Sequence, residues 1–153
     1  MRALEPWVVQ PLESFLAESA ARLTLLMTSS GQVVAQHGFS RSLDVMTAAA
    51  LGAGIVASTD ELARLMGGAT FEALVHHGQR QSCMLAAFGT PRGRWIGLVV
   101  FGRETSVGIV RLFFEQMIQQ LAAAAPREQP AAPMLAENFE TELDSSLKAL
   151  FGR

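Results

Sequence analysis

The 153-residue chain carries a formal charge of −2 and is half hydrophobic, enough for one domain with a sizeable core plus a tail. A near-neutral surface without a basic, aromatic-studded stripe gives no electrostatic case for nucleic acid or lipid headgroups. No apolar run approaches the length needed to span a bilayer, and the single cysteine, Cys83, excludes an intramolecular disulfide and suits a reducing cytoplasm.

Residues 1–10 read as a lead-in, and the first fifteen residues, with two acids, two prolines and no proper apolar core, do not read as a secretory signal. Residues 11–122 read as the domain. Pro11 suits the first turn of a helix, and the stripe Leu12, Phe15, Leu16, Ala20 extends it over 11–20. Arg22–Thr28 and Gln32–His37 read as strands joined through Ser29-Ser30-Gly31, a β-hairpin. Leu43–Met66 is a helix of about six turns, capped by Ser42 or Asp44 and stopped by Gly67-Gly68.

That long helix has two stripes. Leu51, Ile55, Leu62, Leu65 and Met66 form an apolar face made for a core. Ala49, Ala53 and Ala57, with Gly52, Gly54 and Ser58 beside them, form a small-residue face. Each interior glycine costs about 1 kcal/mol relative to alanine, so the space it leaves is expected to be used. Two uses stay open on the pattern alone: close approach to the chain's own sheet, or to another protein.

Thr70–His76 and Gln81–Phe88 read as strands around Gly78, Gly89–Gly93 as a loop, and Arg94–Phe101 as a central strand apolar on both faces. The last helix of the domain starts near Thr105 and repeats Val107, Val110, Phe114, Met117, Leu121 before Pro126 ends it. Residues 123–133, rich in Pro and Ala, read as an extended linker, of which Pro126–Pro133 can span about 25 Å. Residues 134–151 form an amphipathic helix with Leu135, Phe139, Leu143 and Leu147 on one face and Glu137, Glu140, Glu142 and Asp144 on the other. Alone in water such a helix is marginal; it needs a groove, on its own domain or on a partner.

Chemistry-bearing residues do not assemble into a reactive set. His76 and His77 are adjacent in a strand and point to opposite faces; with His37 and Cys83 they make no metal-ligand spacing. Gly89–Gly93 lacks the phosphate-loop pattern, and Gly52-x-Gly54 lies inside a helix instead of after a strand. Asp60 and Glu61 have no second carboxylate placed for acid–base work. Arg103 and Arg111 read as solvated arginines, not an arginine finger. No catalytic residue, metal or cofactor is expected.

Two stretches carry a resemblance. Thr105–Leu112 (TSVGIVRL) is similar to the Thr-Ser-Leu-Gly-Leu-Val-Arg-Leu opening of the last helix in the MglB branch of the Roadblock/LC7 family, and Leu62–Gly67 (LARLMG) resembles the end of that family's long helix. The similarity spans about residues 12 to 121. It implies an α+β fold, α-β-β-α-β-β-β-α, with a five-stranded antiparallel sheet flanked by helices. It implies a homodimer whose third strands pair and whose long helices lie side by side, which gives the small-residue face a use. It further implies a cytoplasmic regulator of one small Ras-like GTPase of the MglA type, which reshapes the partner's switch regions and donates no catalytic side chain. The partner- or dimer-facing residues expected on this basis are Ala49, Ala53, Gly54, Ala57, Ser58 and Glu61, with Phe139, Leu143 and Leu147 of the tail adding contact or steering nucleotide exchange. Asp60 and Glu61 depart from the branch, which often has small residues there. That departure, with a tail sequence that aligns with nothing in the family, motivates an alternative, a scaffold of the same fold in cell polarity or signalling that touches no GTPase. A small-molecule sensor is a third reading, for which the sequence nominates no pocket.

Overall fold

The computed structural model describes residues 2–38, 43–126 and 144–150. In chain order the elements are β1 (Arg2–Ala3), a 3-10 turn (Pro6–Val8), α1 (Val9–Ser19), β2 (Leu23–Thr28), β3 (Val33–Gly38), α2 (Val45–Leu65), β4 (Leu74–His76), β5 (Gln81–Thr90), β6 (Gly93–Gly102) and α3 (Val107–Ala124). Residues 144–150 are helical and exposed. The strands form one antiparallel sheet in the order β1-β3-β2-β6-β5-β4. The five expected strands are all present. Arg2–Ala3 adds a short sixth outside β3, within what read as a lead-in.

The centre of the sheet follows from composition. Leu23 to Met27 are all buried, as are Trp95 to Val99, so β2 and β6 can only sit where both faces are covered. Alternation then divides the side chains. Leu26, Met84, Phe88, Val99 and Phe101 face α1 and α3. Leu25, Met27, Leu85, Ile96 and Leu98 face α2. On the first side Phe114 meets Phe15 and Phe88 edge-on, with ring centroids 5.8 and 5.5 Å apart. It lies so close to β6 that a Cβ at Gly97 would come within 2.5 Å of its ring.

Several boundaries differ from the sequence reading. α1 starts earlier and ends at Ser19, closed by Ala20 in the left-handed conformation (φ 57°). Asp44 is the α2 cap, accepting from the Thr47 N–H at 3.2 Å and its hydroxyl at 2.7 Å. Ser106, not Thr105, caps α3, its hydroxyl accepting from the Ile109 N–H at 3.3 Å. The expected loop Gly89–Gly93 shrinks to a two-residue turn, because Thr90 donates to the Gly93 carbonyl at 2.7 Å and Gly93 takes the positive φ of 114° that closing the hairpin requires. The third expected strand is only Leu74–His76.

The larger correction concerns α2. The face expected to be core is outside: Leu51, Leu62, Leu65 and Met66 are exposed. The sheet-side residues are Ala49, Gly52, Ala53, Val56 and Ala63. Volume is the reason. The sheet already contributes three leucines, an isoleucine and a methionine to this interface, so a close-packed layer leaves the helix room for small residues only. A Cβ at Gly52 would stand 3.3 Å from both Leu85 Cδ2 and Met27 Sδ, whereas one at Gly54 would meet nothing within 4 Å. The two helix glycines therefore have different causes.

Gly97→Ala should cost about 1–3 kcal/mol, since Phe114 must be displaced. Gly54→Ala should raise the stability of the isolated domain by up to about 1 kcal/mol. Urea denaturation of the two variants checks both signs.

Candidate protein-docking surface

The helical period places Gly54, Ser58, Glu61 and Leu65 opposite the buried stripe of α2, with Leu51, Ile55 and Leu62 along one flank and Ala50 and Ala57 along the other. A shallow groove of about 550 Å³ results, lined by Ala50, Leu51, Gly54, Ile55, Ser58 and Leu62, among others. Its rim is apolar: Leu51 is 64% exposed, Leu62 52% and Leu65 76%. Covering a leucine side chain fully is worth about 1.5–3 kcal/mol, so three uncovered leucines on one face leave several kcal/mol unrealised. Contiguous apolar surface of this kind marks a contact site.

Ile55 ties this face to the sheet edge. It packs into the same cluster as Leu74 of β4 and Cys83 of β5. β4 ends the sheet, with no strand on its outer side among the described residues. Ile55 of the leucine flank and Leu74 of the open-edged strand thus border one apolar cluster.

Charge pairs hold the face in position. Arg94, at the start of β6, donates through both guanidinium nitrogens to Asp60, at 2.6 and 3.0 Å. This fork is the strong geometry for an arginine–carboxylate pair, and it keeps the Asp60 carboxyl below the usual range. The Arg94 carbonyl in turn accepts from the Ser29 hydroxyl at 2.9 Å, which links α2 to the β2–β3 turn through β6. Glu61 pairs with Arg64 on the same helix.

Of the expected contact residues, Gly54, Ala57, Ser58 and Glu61 are exposed together on the outward side of α2. Ala49 (0% exposed) and Ala53 (7%) are instead enclosed against the sheet, so their side chains are core. Leu147 lies in the helical stretch 144–150 and is exposed; Phe139 and Leu143 fall outside the described residues. Leu51, Leu62, Leu65 and Arg94 belong to the surface and were not nominated. The signal for them was present in the spacing 49, 52, 53, 56, 63, a complete small-residue stripe that a sheet of leucines can accept.

Elsewhere the chemistry is quiet. Burial pushes the Cys83 thiol up, which keeps it protonated and disfavours the thiolate. Among the described residues no group of His, Cys, Asp and Glu side chains is placed to hold a metal ion, and no helix is long and apolar enough to cross a membrane.

Comparison with known proteins gives a consistent picture. A Roadblock/LC7 domain model matches residues 10–90, more than half of the chain. Myxococcus xanthus MglB superposes with a TM-score of 0.70 at 25% identity, over 78% of this chain and 95% of that one. The gliding protein MglB from Thermus thermophilus gives 0.67 at 31% identity, over 78% and 88%. A structure described as MglB with tetrameric arrangement gives 0.68 at 30% identity, over 77% and 87%. No curated protein matches the chain.

The Arg94–Asp60 fork makes a pH prediction. A carboxyl whose folded pKa is lowered contributes stability above its unfolded pKa and loses it as the pH falls through the folded value. Asp60→Asn should therefore melt below the wild type at pH 7, and the gap should narrow in acid. Parallel thermal melts across that range test it.

Proposed function

The chain belongs to the Roadblock/LC7 family, and on that footing we propose that it is a homodimeric, MglB-like regulator of a small Ras-like GTPase. The observation that carries the reading is the outward face of α2, where a glycine with nothing against it lies between exposed leucines. In a two-fold pair built on the β4 edge, the sheet continues from one copy into the next and the two α2 faces come side by side. The paired helices then offer one broad platform. A specific contact there buries roughly 800 Å² per partner.

Activation on this reading works without a donated side chain. The platform holds the switch segments of the GTPase so that its own residues reach the γ-phosphate, and catalysis gains by positioning. Exposed side chains of α2 supply the contact, and the Asp60–Arg94 fork keeps that helix fixed on the sheet.

A second reading has one observation in its favour. Asp60 and Glu61 are acids at the end of the platform, each paired to an arginine, where the branch often has small residues. A scaffold that holds a polarity or signalling protein would tolerate them equally well. Native pull-down followed by nucleotide analysis of the captured partner separates the two.

The experiment is GTP turnover by an MglA-type GTPase with and without the protein, beside sedimentation of the protein alone. Acceleration and a dimer are expected. Leu62→Glu and Ala57→Arg should each abolish dimerisation or GTPase binding, with the circular dichroism spectrum unchanged. A monomer that leaves turnover unaltered, or variants that behave as the wild type does, would remove the proposal.

A further inference from the structure

The sheet is unfinished beside β4. β5 runs from Gln81 to Thr90, but β4 pairs only with Cys83, Met84 and Leu85. The outer edge of β5 from Ala86 to Thr90 therefore meets no strand among the described residues. The chain that could cover it, Thr70–Ala73, carries no backbone hydrogen bond to the sheet. A groove of about 300 Å³ lies there instead, walled by Met84 and Ala86 of β5 and by Phe114 and Ile118 of α3. Phe71 lines it yet remains 45% exposed. Glu72 is held across to α3, where the Arg111 guanidinium donates to its carboxylate at 2.6 Å.

The β4–β5 register pairs Leu74 with Leu85 and Val75 with Met84. Carried on without a shift, it sets Ala73 opposite Ala86, Glu72 opposite Ala87, Phe71 opposite Phe88 and Thr70 opposite Gly89. Alternation then puts Phe71 on the side of Val75, which packs against the α3 cluster. It puts Glu72 on the side of Leu74, which packs against the α2 cluster. Phe71 enters the groove in that arrangement, and Glu72 must leave Arg111, so the two arrangements exclude each other. We infer that Thr70–Ala73 is a two-state element: latched off the sheet by the Glu72–Arg111 pair, as in this structure, or zipped onto Ala86–Gly89 with Phe71 in the groove.

Reach, space and energy all permit the second state. Gly89 pairs with Arg94, and Arg94 is fastened to Asp60 near the end of α2. The helix therefore ends over the same end of the sheet as Gly89, and the link from Met66 to Thr70 can span up to about 14 Å. A Cβ at Gly89 would meet nothing within 4 Å, so the α2 side of that edge is open to Thr70. Zipping covers the Phe71 ring and gives unpaired backbone groups their ladder partners. Against it stand one exposed ion pair, weak and screened by salt, and the freedom that the segment gives up. Terms this close in size make an element bistable. Zipped, the marginal strand covers Thr70–His76 in place of Leu74–His76. The switch belongs to the single chain; only its consequence for a second copy at that edge rests on the dimer reading.

Thr70→Cys with Gly89→Cys, in a Cys83→Ala background, leaves Phe71, Glu72 and Arg111 in place for a test. The zipped register sets the two thiols opposite each other, within the Cα separation of roughly 4.4–6.8 Å that a disulfide needs. Under mild oxidation the full chain should close an intrachain disulfide, read by peptide mapping. Arg111→Gln should speed closure roughly threefold, the effect of one exposed ion pair. Phe71→Ser should slow it roughly fivefold, since the groove then gains no ring. Absence of the intrachain bond, or a rate indifferent to both substitutions, would overturn the inference. So would a bond formed only between chains, which would make this edge a contact between copies.

Discussion

The fit of a thin helix to a thick-sided sheet governs this molecule. Among the described residues α2 covers its side of the sheet alone, while α1 and α3 share the other. Leu25, Met27, Leu85, Ile96 and Leu98 nearly fill the layer beneath α2, and Gly52, Ala49 and Ala53 let the helix descend onto them. Once the sheet has supplied the volume, the helix cannot turn its leucines inward without lifting off. The leucines are left outside by packing density, and the outward surface of α2 is a by-product of the inward one.

Much of this was legible in the residues. Strand order in the sequence, the hairpins, the amphipathic stripe Val110, Phe114, Met117, Leu121 and the central position of Arg94–Phe101 all follow from local periodicity, and each matches the structure within a few residues. The family was legible from TSVGIVRL and LARLMG. The sides of α2 were not. Periodicity shows that a helix has two stripes; it does not show which one meets the sheet, because that depends on the size of side chains about twenty or more residues away. The usual preference, large inside and small outside, failed here for that reason. Four of the six contact residues nominated on α2 nevertheless sit outside, since Gly54, Ser58 and Glu61 lie opposite the buried stripe and Ala57 on its flank. The Asp60–Arg94 fork was equally hidden: it joins residues 34 positions apart in sequence.

Position also separates what is generic from what is particular. The aromatic contacts of Phe114 and the enclosed strands β2 and β6 would serve any sheet of this size. The particular features are the leucine flank of α2, the Arg94–Asp60 fork that fastens that helix to β6, and the open edge of β4. On the proposed reading rigid attachment matters on this side of the sheet, because a surface that shapes another protein gains nothing if its own helix slides. Hydrogen bonds from β6 to α2, and from the β2–β3 turn to β6, brace that side at both levels.

The open groove beside Gly54 has one more consequence. On the proposed dimer reading it recognises by relief: leucines next to a hollow, with its charges gathered at one end. Relief of that sort discriminates poorly between similar shapes, since refusing a near-copy requires a clash or a stranded charge. A sister chain with the same hollow would fit nearly as well as a twin. Where two such genes are expressed together, mixed assemblies are the default outcome, and keeping them apart would fall to timing and to place within the cell.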